Sequence, residues 1–216
     1  ELFNEAESRI EQTKTDATGT IRIGASDTIF EYFLAEKIVD YHEKFPAVKI
    51  ELMADFTPDT IEKLKANRCD IAFVNLPIEI DQDLRLNENC MRLHDIFIAG
   101  EKYEELSLSV LSLDKLKKYP LITMDKNTVA YRSLCNFFSS LGIEVKPAIE
   151  VGTWDLMKRL VAKGMGIGVI PKEYAKRELQ SGELFEVRTD PVLPVRSVGM
   201  LLPKNQPVSY ALHSFI

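Results

Sequence analysis

Apolar and polar positions along the chain change period several times, and each change marks an element. Residues 2–14 place Leu2, Ala6, Ile10 and Thr13 at helical spacing among charges. This predicts a short amphipathic helix, broken by "TDATGT". "TIRIGA" then alternates and reads as a strand. Phe30, Phe33, Leu34, Ile38, Tyr41 and Phe45 follow a helical stripe that Pro46 stops. "VKIELMA" is a strand, "PDTIEKLKAN" a short helix and "DIAFV" a buried strand. The order is β-α-β-α-β between residues 20 and 74.

The same order returns later. "PLITM" is a strand, and Ala130, Leu134, Phe137, Phe138 and Leu141 form a helical stripe. "AIEV" is a strand, "WDLMKRLVAK" a helix and "IGVIP" a strand. That is a second β-α-β-α-β unit, between residues 120 and 171, repeated in architecture and not in residues. Strands alternating with helices predict parallel sheets, and two such units predict two α/β lobes.

Residues 83–118 link the units through two expected strands, "LRLNENCMRLH" and "DIFIAG". The tail adds a Pro-rich turn ("TDPVLPV"), a strand ("RSVGMLL") and a helical fragment ("PVSYALHSFI"). The apolar strands near residues 96–100 and 196–202 are where the chain is expected to cross between lobes, leaving one lobe discontinuous.

In open parallel sheets ligands bind beyond the carboxyl ends of strands, near helix N-termini. Four strand-to-helix junctions are visible: "GASDT", "DFTPD", "DKNT" and "VGTWD". Each has a threonine at or beside the expected N-cap: Thr28, Thr57, Thr128 and Thr153. Thr28 has Glu31 three residues on, the spacing of a capping box, and Thr57 precedes Pro58, a residue favoured at the first helical position. A threonine hydroxyl caps helices in any protein, because it satisfies an orphan N–H. Four such ends in one cleft would instead gather N–H groups and partial positive charge around a carboxylate, sulfate or phosphate. Ser26 and its backbone amides join the first junction. Trp154, the sole tryptophan, stands at the fourth and either walls a pocket or packs.

Charge and composition narrow the function. The 216 residues carry a net charge of -6, with 45% hydrophobic and 28% charged residues. Gripping nucleic acid draws on basic residues, so this segment alone is not expected to hold DNA. No apolar run is long enough to span a membrane. The polar, acidic start is not a secretory signal, and a chain beginning at Glu1 reads as a fragment or a processed product. Cys69, Cys90 and Cys135 have neither disulfide-framework nor zinc spacing; reduced thiols are expected, and no metal or cofactor is implied. GxSxG, HExxH and P-loop patterns are absent. His42, His94 and His213 lie apart from any nucleophile, and Asp27 and Asp125 read as helix-start acids, so no enzyme activity is expected.

"VAKGMGIGVIPKEY" sets Gly164, Gly166 and Gly168 in a row of alternate positions, yet it fails as a dinucleotide fingerprint. That motif runs strand, glycine loop, helix; here the helix comes first. Gly164 is expected to end the helix with a positive φ, and Gly166 and Gly168 to allow close packing into the strand. Pro171 closes that strand.

Taken in order, "GTIRIGAS", "FPAVKIEL", "LKANRCDIAFV", "YPLITM" and "LVAKGMGIGVIPKEY" make the chain resemble the effector-binding domain of LysR-type transcriptional regulators. The resemblance runs over nearly the whole chain. Two positions depart from it: Cys69, where the family often has Gly, and Phe56–Thr57, where a glycine-polar pair is usual. The resemblance implies an α/β fold of two Rossmann-like lobes, the periplasmic-binding-protein type II fold. Residues 1–17 would end a linker helix, 18–98 with 197–216 would form regulatory lobe I, and 99–196 lobe II. It implies a small effector, often an anion, held between lobes by Ser26, Asp27, Thr28, Thr57, Thr128 and Thr153, with Asn75 at a strand end and Ile98 on a crossover strand; Trp154 joins these candidates from its place at the fourth junction. It further implies a homodimer or homotetramer in the cytoplasm, with no membrane partner. DNA would be bound only through a winged helix-turn-helix outside this chain. An extracytoplasmic solute-binding protein shares the fold and is the alternative.

Overall fold

The computed structural model describes residues 18–216, apart from the side chain of Asn89. The helix expected over 2–14, with the linker end at 1–17, lies outside the described residues. In chain order, β1 (Gly19–Ala25) leads into α1, which comprises Asp27–Ile29, a π-helical segment Phe30–Leu34 and Ala35–Lys44. There follow β2 (Val48–Ala54), α2 (Thr57–Lys65), β3 (Ile71–Leu76) and β4 (Leu84–Ala99). A 3-10 helix (Glu101–Leu108), β5 (Leu111–Ser112), α3 (Leu113–Leu116) and β6 (Leu121–Met124) come next. Then come α4 (Val129–Ser140), β7 (Ile149–Val151), α5 (Trp154–Ala162) and β8 (Ile167–Pro171). A 3-10 turn (Lys172–Ala175), α6 (Lys176–Ser181), β9 (Phe185–Val187), β10 (Thr189–Asp190), β11 (Val195–Pro203) and α7 (Tyr210–Phe215) complete the chain.

The chain forms two compact units. The first takes in the described residues up to Val74, Glu79–Glu88 and Gly199–Ile216; the second takes in Asn75–Ile78 and Asn89–Val198. The divisions fall inside β4 and β11, at 88/89 and 198/199, where the sequence reading placed lobe boundaries at 98/99 and 196/197. The two strands expected between 83 and 100 are one continuous strand, β4. Its polar half alternates and its apolar half does not, so one ladder carries two side-chain patterns.

In the first unit the strand order is β2-β1-β3-β11. β1 pairs in parallel with both β2 and β3. Ile21, Ile23, Ile29, Leu34, Leu64 and Ile71 are wholly buried beneath the helices. The Tyr41 hydroxyl donates to the Ala211 carbonyl at 2.7 Å, tying α1 to α7. In the second unit the order is β4-β8-β6-β7, with β9 beside β4. β6 is parallel to β7 and β8, whereas β4 is antiparallel to β8. Phe97, Leu106, Phe138, Ile167 and Val187 anchor its core.

The glycine stretch behaves as its order predicts. Gly164 has φ +73. Its N–H donates to the Val161 carbonyl at 2.8 Å, and the Met165 N–H to the Leu160 carbonyl at 3.1 Å. That pair of bonds is a Schellman ending. A Cβ on Gly166 would lie 2.2 Å from the Pro120 carbonyl oxygen, and one on Gly168 would lie 2.9 Å from Val161 Cγ2. These two glycines serve close packing of β8.

Candidate functional site

Two helices of the second unit begin side by side. β6 and β7 run parallel with Met124 opposite Val151, so α4 and α5 start from the same sheet edge. Thr128 caps α4, accepting from the Tyr131 N–H at 3.2 Å while donating to the Asp125 carbonyl at 2.7 Å. Thr153 caps α5, accepting from the Leu156 N–H at 3.3 Å. Asp125 Oδ1 accepts the Asn127 N–H at 2.8 Å, ordering the turn before α4. Thr128 is half-buried and Thr153 exposed. Each cap satisfies one of the orphan N–H groups and leaves others at a partially positive end.

In the first unit the corresponding edge differs from the expectation. The cap of α1 is Ser26, not Thr28: the Ser26 hydroxyl accepts from the Ile29 N–H at 3.4 Å. Thr28 is already helical, so the capping box with Glu31 does not form. The strand ends at Ala25, and starting the helix at Asp27 turns Ile29 fully into the core. At the second junction the cap position is Phe56, which offers no side-chain bond, and Thr57 is the first helical residue. Thr57 is buried, at 8% exposure, while Phe56 stands exposed. Asp55, just before α2, forms an ion pair at 2.5 Å with Lys63 in that helix's last turn, and the Asp55 N–H donates to the Ala25 carbonyl at 3.0 Å.

Asp27 is exposed at the start of α1, and Asn75 is half-buried near the end of β3. Ile98 is wholly buried on β4, opposite Gly168 and Glu186 of its neighbours. Trp154 both packs and lines a cavity. It is 9% exposed, its ring centroid lies 6.1 Å from that of Tyr174, and it walls a crevice under the starts of α4 and α5.

That crevice holds residues the sequence reading missed. Asp95, Thr123, Met124, Ala130, Tyr131, Leu134, Trp154 and Val169 line it, all within the second unit. Arg196 grips Asp95 by two bonds, Nε to Oδ2 at 2.5 Å and Nη2 to Oδ1 at 2.7 Å. Thr123 Oγ1 and Arg196 Nη1 are buried and have no hydrogen-bond partner among the described residues. Such an unmade bond costs about 1–3 kcal/mol. The local signal was a lone threonine in an apolar strand, "PLITM", and a charged residue at the head of each apolar crossover strand. The Asp95–Arg196 contact spans 101 positions and has no local signature.

Burial pushes the Cys69 thiol up to about 11, and Cys69 is only 1% exposed. No disulfide joins described cysteines, and no cluster among the described residues could hold a metal ion. His94 Nδ1 lies 2.6 Å from Glu173 Oε1, in a surface pair. No described helix is long and apolar enough to cross a membrane.

Comparison with known proteins agrees with this architecture. One relative is the uncharacterized HTH-type transcriptional regulator YeiE of Escherichia coli (strain K12). It is 25% identical over 210 residues, covering 96% of this chain and 70% of that protein. The HTH-type transcriptional regulator cbl of the same strain is 26% identical over 192 residues, 88% of this chain and 60% of that protein. The solved cofactor-binding domain of the Cbl transcriptional regulator matches with a TM-score of 0.83 at 23% identity, covering 94% of this chain and 88% of that one. The Synechocystis PCC6803 CcmR regulatory domain, solved in complex with 2-PG, matches at 0.81 and 20% identity, covering 92% and 94%. The fold is therefore the mixed α/β, type II periplasmic-binding-like fold of those domains. The family described as the LysR substrate binding domain matches residues 14–216, and this chain belongs to it.

Proposed function

We propose that this chain is the ligand-sensing domain of a transcriptional regulator and takes a small anionic effector at its helix N-termini. The observation that carries the reading is the paired start of α4 and α5. Two threonine-capped helix ends rise from adjacent parallel strands over one crevice, the setting in which α/β sheets bind ligands. Ser26 and Thr57 mark the corresponding ends in the first unit. Asp27, Thr28 and Asn75 stand beside those ends, Trp154 forms a wall, and Ile98 backs the fold from inside. The match of CcmR, whose structure holds 2-PG, supports a small effector.

The effector acts by binding two arrangements of the protein unequally, which shifts the population between them. In the full-length protein that shift alters DNA binding through a helix-turn-helix outside this chain. The regulator works inside the cell as a homodimer or homotetramer. No bond is made or broken. A thermal-shift screen of small carboxylates, amino acids and aromatic acids tests the reading. A ligand at 100 times its Kd stabilises by about 2.7 kcal/mol, a rise of roughly 5–10 °C for a chain this size. A screen in which no anion raises the melting temperature contradicts it.

A further inference from the structure

We infer that the crevice beneath the starts of α4 and α5 is a hydroxyl-selecting subsite, with Thr123 Oγ1 as the group that receives the ligand's hydroxyl. This rests on the reading above for where the effector lies, and it adds what the effector carries.

Thr123 is 1% exposed, its hydroxyl is buried with no partner among the described residues, and the residue lines the crevice. The cavity is about 10 Å³, room for roughly one water-sized atom. Ala130 and Tyr131, in the first turn of α4, and Trp154, the first residue of α5, form its upper wall. The caps of the same two helices adjoin this wall in sequence, Thr128 two residues before Ala130 and Thr153 directly before Trp154. The remaining lining is apolar, from Met124, Leu134 and Val169, except for Asp95.

Charge decides the class of group. Arg196 already neutralises Asp95 through both carboxylate oxygens. An ammonium or a carboxylate entering here meets a pair that is already neutral, and would leave its own charge uncompensated in a largely apolar cavity. A methyl group leaves the Thr123 bond unmade. A hydroxyl both donates and accepts, so it can bond the threonine while donating to a spare lone pair of Asp95. One oxygen atom also matches the volume.

Two measurements on this chain test the subsite. In the first, methanol is titrated into the protein while methyl resonances of Met124, Ala130 and Val169 are followed by NMR. Saturable shifts in the wild type that disappear in Thr123→Val and survive in Thr123→Ser are expected. Absence of a saturable response, or its persistence in Thr123→Val, overturns the subsite. An unchanged or higher melting temperature for Thr123→Val shows that the fold is kept.

In the second, calorimetry compares L-serine with L-alanine, glycerate with lactate, and 3-hydroxybenzoate with benzoate. For a pair that binds, the wild type favours the hydroxylated member about tenfold. Thr123→Val removes that preference by weakening only this member, whereas Thr128→Ala weakens both. Binding with no hydroxyl preference overturns the subsite while leaving the effector reading standing. A methanol response with no acid bound supports the subsite and defeats the effector reading.

Discussion

Arg196 holds Asp95 by two charge-assisted bonds in a setting where the arginine is 4% exposed. Removing one partner strands the other charge in a low-dielectric interior. Arg196→Met should therefore lower unfolding free energy by about 3–5 kcal/mol in urea denaturation. Arg196→Lys should recover only part of it, since an ammonium cannot make the two-pronged contact. Cys69 gives a pH prediction. Its folded-state value, about 11, lies above that of an exposed thiol. The folded state thus disfavours the thiolate. This contribution is complete below the unfolded thiol value, about 8.5, and is lost as pH rises toward about 11. Melting curves of Cys69→Ala should show a shallower alkaline decline than the wild type. At pH 8 a thiol-specific reagent should label Cys69 only after unfolding.

Helices and strands were largely legible because the apolar period switches cleanly between them. The strand-to-helix junctions were less so. Thr128 and Thr153 sit where "DKNT" and "VGTWD" place them, but "GASDT" offers two caps two residues apart. Burial of Ile29 selects Ser26, and burial is not visible in the residue type. The Thr123 crevice was invisible for the same reason: its walls come from β4, β6, α4, α5 and β8, assembled by long-range packing.

At the helix-to-strand connector, Gly164 and Gly166 do different work, and their substitutions should separate it. Gly164→Ala strains a residue with φ +73, by about 1–2 kcal/mol, and sets a Cβ 2.8 Å from Lys102 Cδ and 2.9 Å from Lys102 Cβ, so that the Lys102 side chain must shift. Gly166→Ala drives a Cβ to 2.2 Å from the Pro120 backbone oxygen. The Ile167 N–H already donates to that oxygen at 2.9 Å, so the strand entry must move. Its cost should exceed that of Gly164→Ala by about 1–3 kcal/mol, measured by chemical denaturation.

On the scale of the molecule, the chain is acidic, with a net charge of -6, and its two α/β units present capped helix N-termini as local positive ends. That favours a small anion held at helix N-termini over a polyanion. The direct measurement is calorimetric titration, with the anion that most raises the melting temperature, of the wild type, Thr128→Ala and Thr153→Ala. Each substitution removes a cap and should cost about 1 kcal/mol of stability. The account predicts saturable one-site binding to the folded wild type and an affinity reduced roughly tenfold in each variant. Unchanged affinity in both variants would contradict it.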